Sequence, residues 1–201
     1  MGQYFMPYVK HGKEIKVFDN HIDGEFQGLK LMEHSYWKND YVGQVINDIY
    51  YNKGNVCWVG DYSDEDDCAQ VNCDKEIVRI IGELVWNEKT ETIKGTKKNS
   101  RNLNGCLLVN HTKKLYIVGD NYFKINKWFE TWEGKQYAWC INPLPLLTCS
   151  ASHSGGSYNG INHHICGTWF NDLLEVVEDY EEEDLIKKGY IEFVVEFSER
   201  R

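Results

Sequence analysis

Apolar and polar residues recur along this chain with two different periods, and the switch between them sets out its elements. Val42, Val45, Ile46, Ile49 and Tyr50 fall at i, i+3, i+4, i+7 and i+8, the apolar stripe of a helix predicted over about 40–51. Asn39 or Asp40 can cap its start, and Gly54 is placed to end it. Ile77, Ile80, Ile81, Leu84 and Val85 repeat that spacing and predict a second helix opening near Asp74. Elsewhere the pattern is that of strands. Residues 4–9 and 14–18 flank a turn at His11-Gly12 and read as a hairpin. The run NVCWVG over 55–60 has no polar side chain after Asn55, as in a strand buried on both faces. Further strands are predicted over 106–110, 114–118, 122–126, 136–142, 144–149, 165–170, 173–178 and 190–197, with His111-Thr112-Lys113 as a hairpin turn. Residues 87–104 (NEKTETIKGTKKNSRNLN) are polar and read as a mobile surface loop. Two helices against about ten strands predict an α+β fold with a large, mostly antiparallel sheet.

At 201 residues, one domain over 1–201 is expected. Aromatic residues make up 14% of the chain, with 13 Tyr and 7 Trp, suiting both a β core and a binding surface. Acids outnumber bases 31 to 22, for a formal charge of −9. Such a balance disfavours nucleic-acid binding and suits a basic protein partner. No apolar run nears the ~20 residues that span a bilayer, and the start MGQYFMPYVK lacks a signal-peptide core. A cytoplasmic protein with no membrane association is therefore expected, its seven cysteines reduced.

Candidate chemistry concentrates between Ile141 and Glu175, where short apolar runs flank a Gly/Ser/Asn loop. Cys149-x3-His153-x9-His163-x2-Cys166 has ligand types suited to zinc. It lacks the paired C-x2-C of a zinc ribbon, so buried cysteines and loop histidines are the simpler reading. No cofactor is implied. Ser154, Gly155, Gly156 and Tyr158 lie in a loop whose backbone N–H groups can face a phosphate, although such residues also make plain turns. Asp61, Tyr62 and Asp64 begin an acidic stretch just after the 55–60 strand. A carboxylate at a strand end can hold a cation or serve as a base, or simply face water. No Walker loop, G-x-G-x-x-G or G-x-S-x-G is present.

The blocks MGQY, GLKLMEHSY (28–36), VCWVGDYSD (56–64), LVNHTKK (108–114), NPLPLLT (142–148), GGSYNG (155–160) and GTWFND (167–172) resemble a family of uncharacterised proteins of bacteria and tailed phages. The resemblance spans nearly the whole chain and implies a phage-type setting without a mechanism. Relatives carry an Arg and an Asp in the Gly-rich loop, where this chain has His153 and Ser157. That departure points away from catalysis.

The leading expectation is thus a non-enzymatic accessory protein, in the phage setting a counter-defence protein. It would hold a small polar, nucleotide-like ligand against Trp58, Asp61, Tyr62, Ser154, Gly155, Gly156, Tyr158, Trp169 and Asp172. One alternative is a nucleotide hydrolase or transferase using Asp61, Asp64 and Asp172. Another is an acidic module that binds a host defence protein. The abundant aromatics also allow a homodimer.

Overall fold

A computed structural model of the chain describes residues 4–19, 21–22, 25–26, 31, 40–60, 93–94, 100–123, 127–130, 136–139, 142–150 and 165–195. The fold is α+β. Eight of the described strands form one sheet: β1 (Phe5–His11), β2 (Glu14–Asp19), β5 (Gly54–Gly60), β6 (Ile93–Lys94), β7 (Cys106–Asn110), β8 (Leu115–Val118), β11 (Leu173–Glu178) and β12 (Ile191–Glu192). Their order is β12-β8-β7-β11-β5-β1-β2-β6. All neighbours run antiparallel except β12 with β8 and β2 with β6. Two small pairs stand apart, β3 (His21–Ile22) with β4 (Glu25–Phe26), and β9 (Lys127–Glu130) with β10 (Gln136–Trp139).

The sheet is a middle layer, and side-chain alternation shows it. On one face Phe5, Val9, Val56, Trp58, Leu108, Ile117, Leu174 and Val176 join the main core. The opposite face carries two smaller clusters. Met6, Tyr8, Val17, Cys57 and Val59 pack with Phe170, while Leu107, Val109, Tyr116 and Val177 pack with Leu185. Strands covered on both sides must be apolar at successive positions, which explains the unbroken runs of β5 and β7.

Helix α1 (Asp40–Asp48) covers the main face with the stripe read from its periodicity; Val42, Val45, Ile46 and Ile49 are buried. Gly54 does not end it. The chain turns at Tyr51, which takes a left-handed φ of 51° and is held there by its N–H bond to the Val176 carbonyl, 2.9 Å. Gly54 instead opens β5. The helix expected from Asp74 lies outside the described residues. Within the expected surface loop, Ile93 and Lys94 pair with Phe18 and Asp19, and Leu103 is buried in the core.

Three predicted strands are something else. Residues 143–147 form helix α3 (Pro143–Leu147), because Asn142 Oδ1 accepts the Leu144 N–H at 3.0 Å and Pro143 is preset for a first helical turn. A short apolar run does not separate strand from buried helix, and here the cap decides. Residues 165–170 form successive turns, with Thr168 N–H to the Ile165 carbonyl and Phe170 N–H to the Gly167 carbonyl. Gly167 and Asn171 have φ of 67° and 58°, incompatible with a strand. At the start of the predicted 122–126 strand, helix α2 (Asp120–Phe123) points Tyr122 inward, where its hydroxyl accepts the Val195 N–H at 2.7 Å; residues 124–126 lie outside the described residues. Helix α4 (Glu182–Lys187) and a turn at Gly189 lead into the last strand, which covers only 191–192 of the predicted 190–197. Residues 193–195 are not in a strand, the Val195 N–H going to the Tyr122 hydroxyl, and 196–197 lie outside the described residues.

Gly119, between β8 and α2, lies against the backbone of Leu103. A Cβ built there would stand 1.9 Å from the Leu103 carbonyl oxygen. Because backbone cannot swing aside as a side-chain tip can, Gly119→Ala is expected to cost about 1–3 kcal/mol. Urea unfolding of the two proteins measures this; equal midpoints would show that residues 103 and 119 separate freely.

Candidate functional site

Strand β5 ends at Gly60, immediately before the acidic stretch that begins at Asp61. Beside it runs the short segment that follows α3. Thr148 O accepts the Trp58 N–H, Trp58 O accepts the Ser150 N–H, both at 2.8 Å, and Cys149 bridges Trp58 in parallel. Gly60 N–H then donates to Ser150 Oγ at 3.1 Å in a buried contact. The chain therefore leaves for both expected ligand segments, 61 onward and 151 onward, from adjoining backbone at one end of the sheet. Asp61, Tyr62, Asp64, Ser154, Gly155, Gly156 and Tyr158 themselves lie outside the described residues.

The other three expected ligand contacts lie elsewhere in role or place. Trp58 and Trp169 are 0% and 1% exposed and belong to the main core, so neither indole offers an open face on which a base could stack. Asp172 is buried too. Its carboxylate accepts from Asn110 Nδ2 at 2.7 Å and from Lys113 Nζ, while its carbonyl accepts the Val56 N–H. From Val56 to Gly60 is roughly 13 Å along a strand. Asp172 therefore sits at the far end of β5 from the root of Asp61, occupied in joining the β7–β8 turn to β11.

That far end carries a polar network which sequence reading missed. Asn110 Oδ1 accepts the Lys113 N–H, and Thr112 Oγ1 accepts the Leu173 N–H, both at 2.9 Å. Beside them, Glu175 Oε2 accepts from His111 Nε2 at 2.8 Å, and His111 Nδ1 faces the Tyr190 hydroxyl at 2.7 Å. Lys53 Nζ lies 3.8 Å from the same carboxylate. The Lys53 carbonyl in turn faces His11 Nδ1 at 2.9 Å, and His11 Nε2 meets Asp48 at 2.6 Å. Both nitrogens of His11 face acceptors, whereas His111 lies between a carboxylate and a hydroxyl that can donate to it. The residues come from five separate places in the chain, so no local motif announces them.

Of the four cysteine and histidine residues considered for zinc, the structure describes Cys149 and Cys166 and brings their thiols into hydrogen-bond contact. Both are buried. That contact lowers the Cys166 pKa against the opposing effect of burial. His153 and His163 lie outside the described residues. Among the described residues no group of three or more His, Cys, Asp or Glu is arranged to hold a metal ion.

A surface feature completes the candidates. Six large apolar or aromatic side chains are exposed among the described residues, and five of them are Tyr51, Tyr180, Ile186, Ile191 and Val194. Four of these lie within 180–194. Tyr51 joins them, its hydroxyl donating to Glu181 Oε1 at 2.7 Å and lying 3.2 Å from that of Tyr180. The acids of 181–184 lie within the same stretch of sequence. The acidic run was visible in the sequence, but the exposure of its apolar neighbours depends on which side of α4 faces inward, namely Leu185. No described helix is long and apolar enough to cross a membrane. The sequence matches no family model, no curated protein and no solved structure.

Burial lowers the His111 pKa, and the nearby Lys53 and Lys188 charges add to this; the Glu175 hydrogen bond opposes them. The folded ring therefore resists a proton that the unfolded ring accepts near its ordinary pKa of about 6.5. Its contribution to stability is complete above that pH and declines as pH falls through the ordinary value toward the lower folded one. The unfolding free energy of the wild type relative to His111→Gln is expected to shrink below about pH 6.5. A series of urea titrations across pH reads this directly; a difference that stays flat would rule out the buried neutral ring.

Proposed function

We propose that this protein acts by binding, and that its partner is a protein with a basic, partly apolar surface. The observation that carries the reading is the exposure of Tyr180, Ile186, Ile191 and Val194 within one stretch of sequence, 180–194, that also holds the acids of 181–184. Aromatic and aliphatic side chains left in water favour burial at an interface. Surrounding carboxylates attract a positive partner and exclude an acidic one. The four acids of 181–184 outnumber the adjoining Lys187 and Lys188, so the surface pairing of Lys187 with Glu183 and Asp184 leaves the stretch net negative. In the phage setting implied by the resemblance, a host defence protein is the natural partner.

In the test, tagged wild type and an Ile186→Asp/Ile191→Asp double variant are offered the same cell extract. The captured partner is purified, and its affinity for both proteins is measured at rising salt. The expected result is a basic partner whose affinity falls at least ~10-fold in the variant and weakens with salt. Equal binding by the variant would overturn the proposal. So would wild-type self-association that the variant abolishes, which would make the face a homodimer contact.

A second reading rests on the Gly60–Ser150 hydrogen bond. With the chain leaving for 61 onward and 151 onward from one point, a small polar, nucleotide-like ligand can be held between Asp61 and the backbone of the Gly-rich segment. Trp58 and Trp169 take no part in this version. Mass spectrometry of small molecules released from the purified protein is expected to find such a ligand in the wild type and not in Asp61→Ala. Two empty proteins would remove the reading, while a converted nucleotide would favour the hydrolase or transferase alternative.

A further inference from the structure

We infer that Cys149 and Cys166 form a modification site, a thiol pair that a small hydroperoxide converts into a buried disulfide. The two thiols are in hydrogen-bond contact, and three further observations hold together the segments that carry them. Gly167 N–H donates to the Leu146 carbonyl at 3.0 Å, and Trp169 N–H donates to the Leu147 carbonyl at 2.7 Å, so the backbone on either side of the pair is already clamped. The Cys149 thiol donates to that same Leu146 carbonyl at 3.2 Å, which turns it toward the segment carrying Cys166. Both side chains belong to the main core cluster. The two segments that must approach are thus already bonded to each other, and displacement of the backbone is the usual obstacle to a disulfide.

The chemistry balances with a hydroperoxide as oxidant. Cys166 is the more exposed of the two, at 5% against 0%, and its sulfur attacks first. An S–O bond forms and the O–O bond breaks, leaving Cys166 as a sulfenic acid while the departing oxygen takes a proton and leaves as water or an alcohol. Cys149 sulfur then attacks Cys166 sulfur. The S–S bond forms, the S–O bond breaks, and the hydroxyl departs as water with the Cys149 proton. The two sulfurs together give two electrons to the peroxide. The product ties residue 149 to residue 166 across the Gly-rich segment between them. Cys57 and Cys106 are equally buried but lie on different strands of the sheet, with β11 between their strands, and serve as internal controls.

Purified full-length protein is treated with hydrogen peroxide without denaturant, freed of peroxide, then unfolded in the presence of the alkylating agent and mapped by mass spectrometry. The expected result is one cross-linked peptide containing Cys149 and Cys166, lighter by two hydrogens and restored by dithiothreitol, with Cys57 and Cys106 still thiols. Cys149→Ser should leave Cys166 alkylatable or over-oxidised and uncrosslinked. Should that variant fail to fold, the wild type alone decides. Protease cleavage between residues 150 and 165 should leave two fragments that stay joined after oxidation and part on reduction. The inference fails if both thiols survive peroxide, if either pairs with another cysteine, or if fragments part without reduction. It fails equally if one equivalent of zinc shields the two thiols from alkylation and peroxide does not cross-link them, since the pair would then be a metal site.

Discussion

Strand β5 sets the terms for much of this structure. It runs through the middle of the sheet, covered by core on both faces, and its backbone groups have no route to water. Each must find a partner within the protein. One side is served by β1 in a single register from Phe5↔Gly60 to Lys10↔Asn55. The other side has no single partner. Residues 173–174 of β11 pair with Asn55 and Gly54, residues 171–172 serve Val56, and residues 148–150 serve Trp58. β11 parts from β5 after two residues and turns its next backbone groups to the end of α1, where Val176 bonds Ile49 and Tyr51. Three distant stretches are thus drawn to one strand by the need to satisfy its amides.

The placement of the chemistry follows from this. Because 148–150 lies along β5, Ser150 reaches Gly60 and Cys149 enters the core. The turns of 165–172 must then return beside α3 to serve Val56, and this carries Cys166 toward Cys149. Asp172 arrives at the opposite end of β5, where it holds the β7–β8 turn through Asn110 and Lys113. The blocks LVNHTKK and GTWFND, far apart in sequence, meet there. Their polar residues work on each other, with Asn110 bonding both the turn and the carboxylate. Truncating Asp172 would strand a buried amide and cost stability, so loss of function in such a variant would say little about a ligand.

How much of this the sequence disclosed depends on the range of the interaction concerned. Local periodicity sufficed for the start and inner face of α1, whose Val42, Val45, Ile46 and Ile49 are buried as read while Tyr50 is half-buried, and for the β1–β2 and β7–β8 hairpins. It failed at 143–147, where Asn142 and Pro143 supply a helix start that outweighs a strand-like run. It failed also at 165–170, where Gly167 and Asn171 take left-handed angles. Trp58 and Trp169 lie beside suggestive glycines and acids, and composition alone cannot tell a stacking platform from a core side chain. The size and apolar area of an indole make the core the better place for it. The His111–Glu175–Tyr190 and His11–Asp48 groupings were illegible because pairing of whole strands, not any spacing in the chain, creates them.

The exposed face at 180–194 poses the opposite problem, since its acids were legible and its apolar members were not. Helix α4 is short and buries one residue, Leu185, into the cluster with Leu107, Val109 and Val177. Once Leu185 is fixed inward, Ile186 must point out, because neighbouring residues on a helix lie about 100° apart. The same holds for the chain after Glu192, where Phe193 packs against the core and Val195 is buried, leaving Val194 between them to face water. Exposure here is thus imposed by the anchoring of neighbours. A chain free to choose could place polar residues at 186, 191 and 194 without disturbing a single internal contact described above. That it carries Ile, Ile and Val instead is what the proposed binding reading would account for, with positions that answer to a partner surface rather than to the fold.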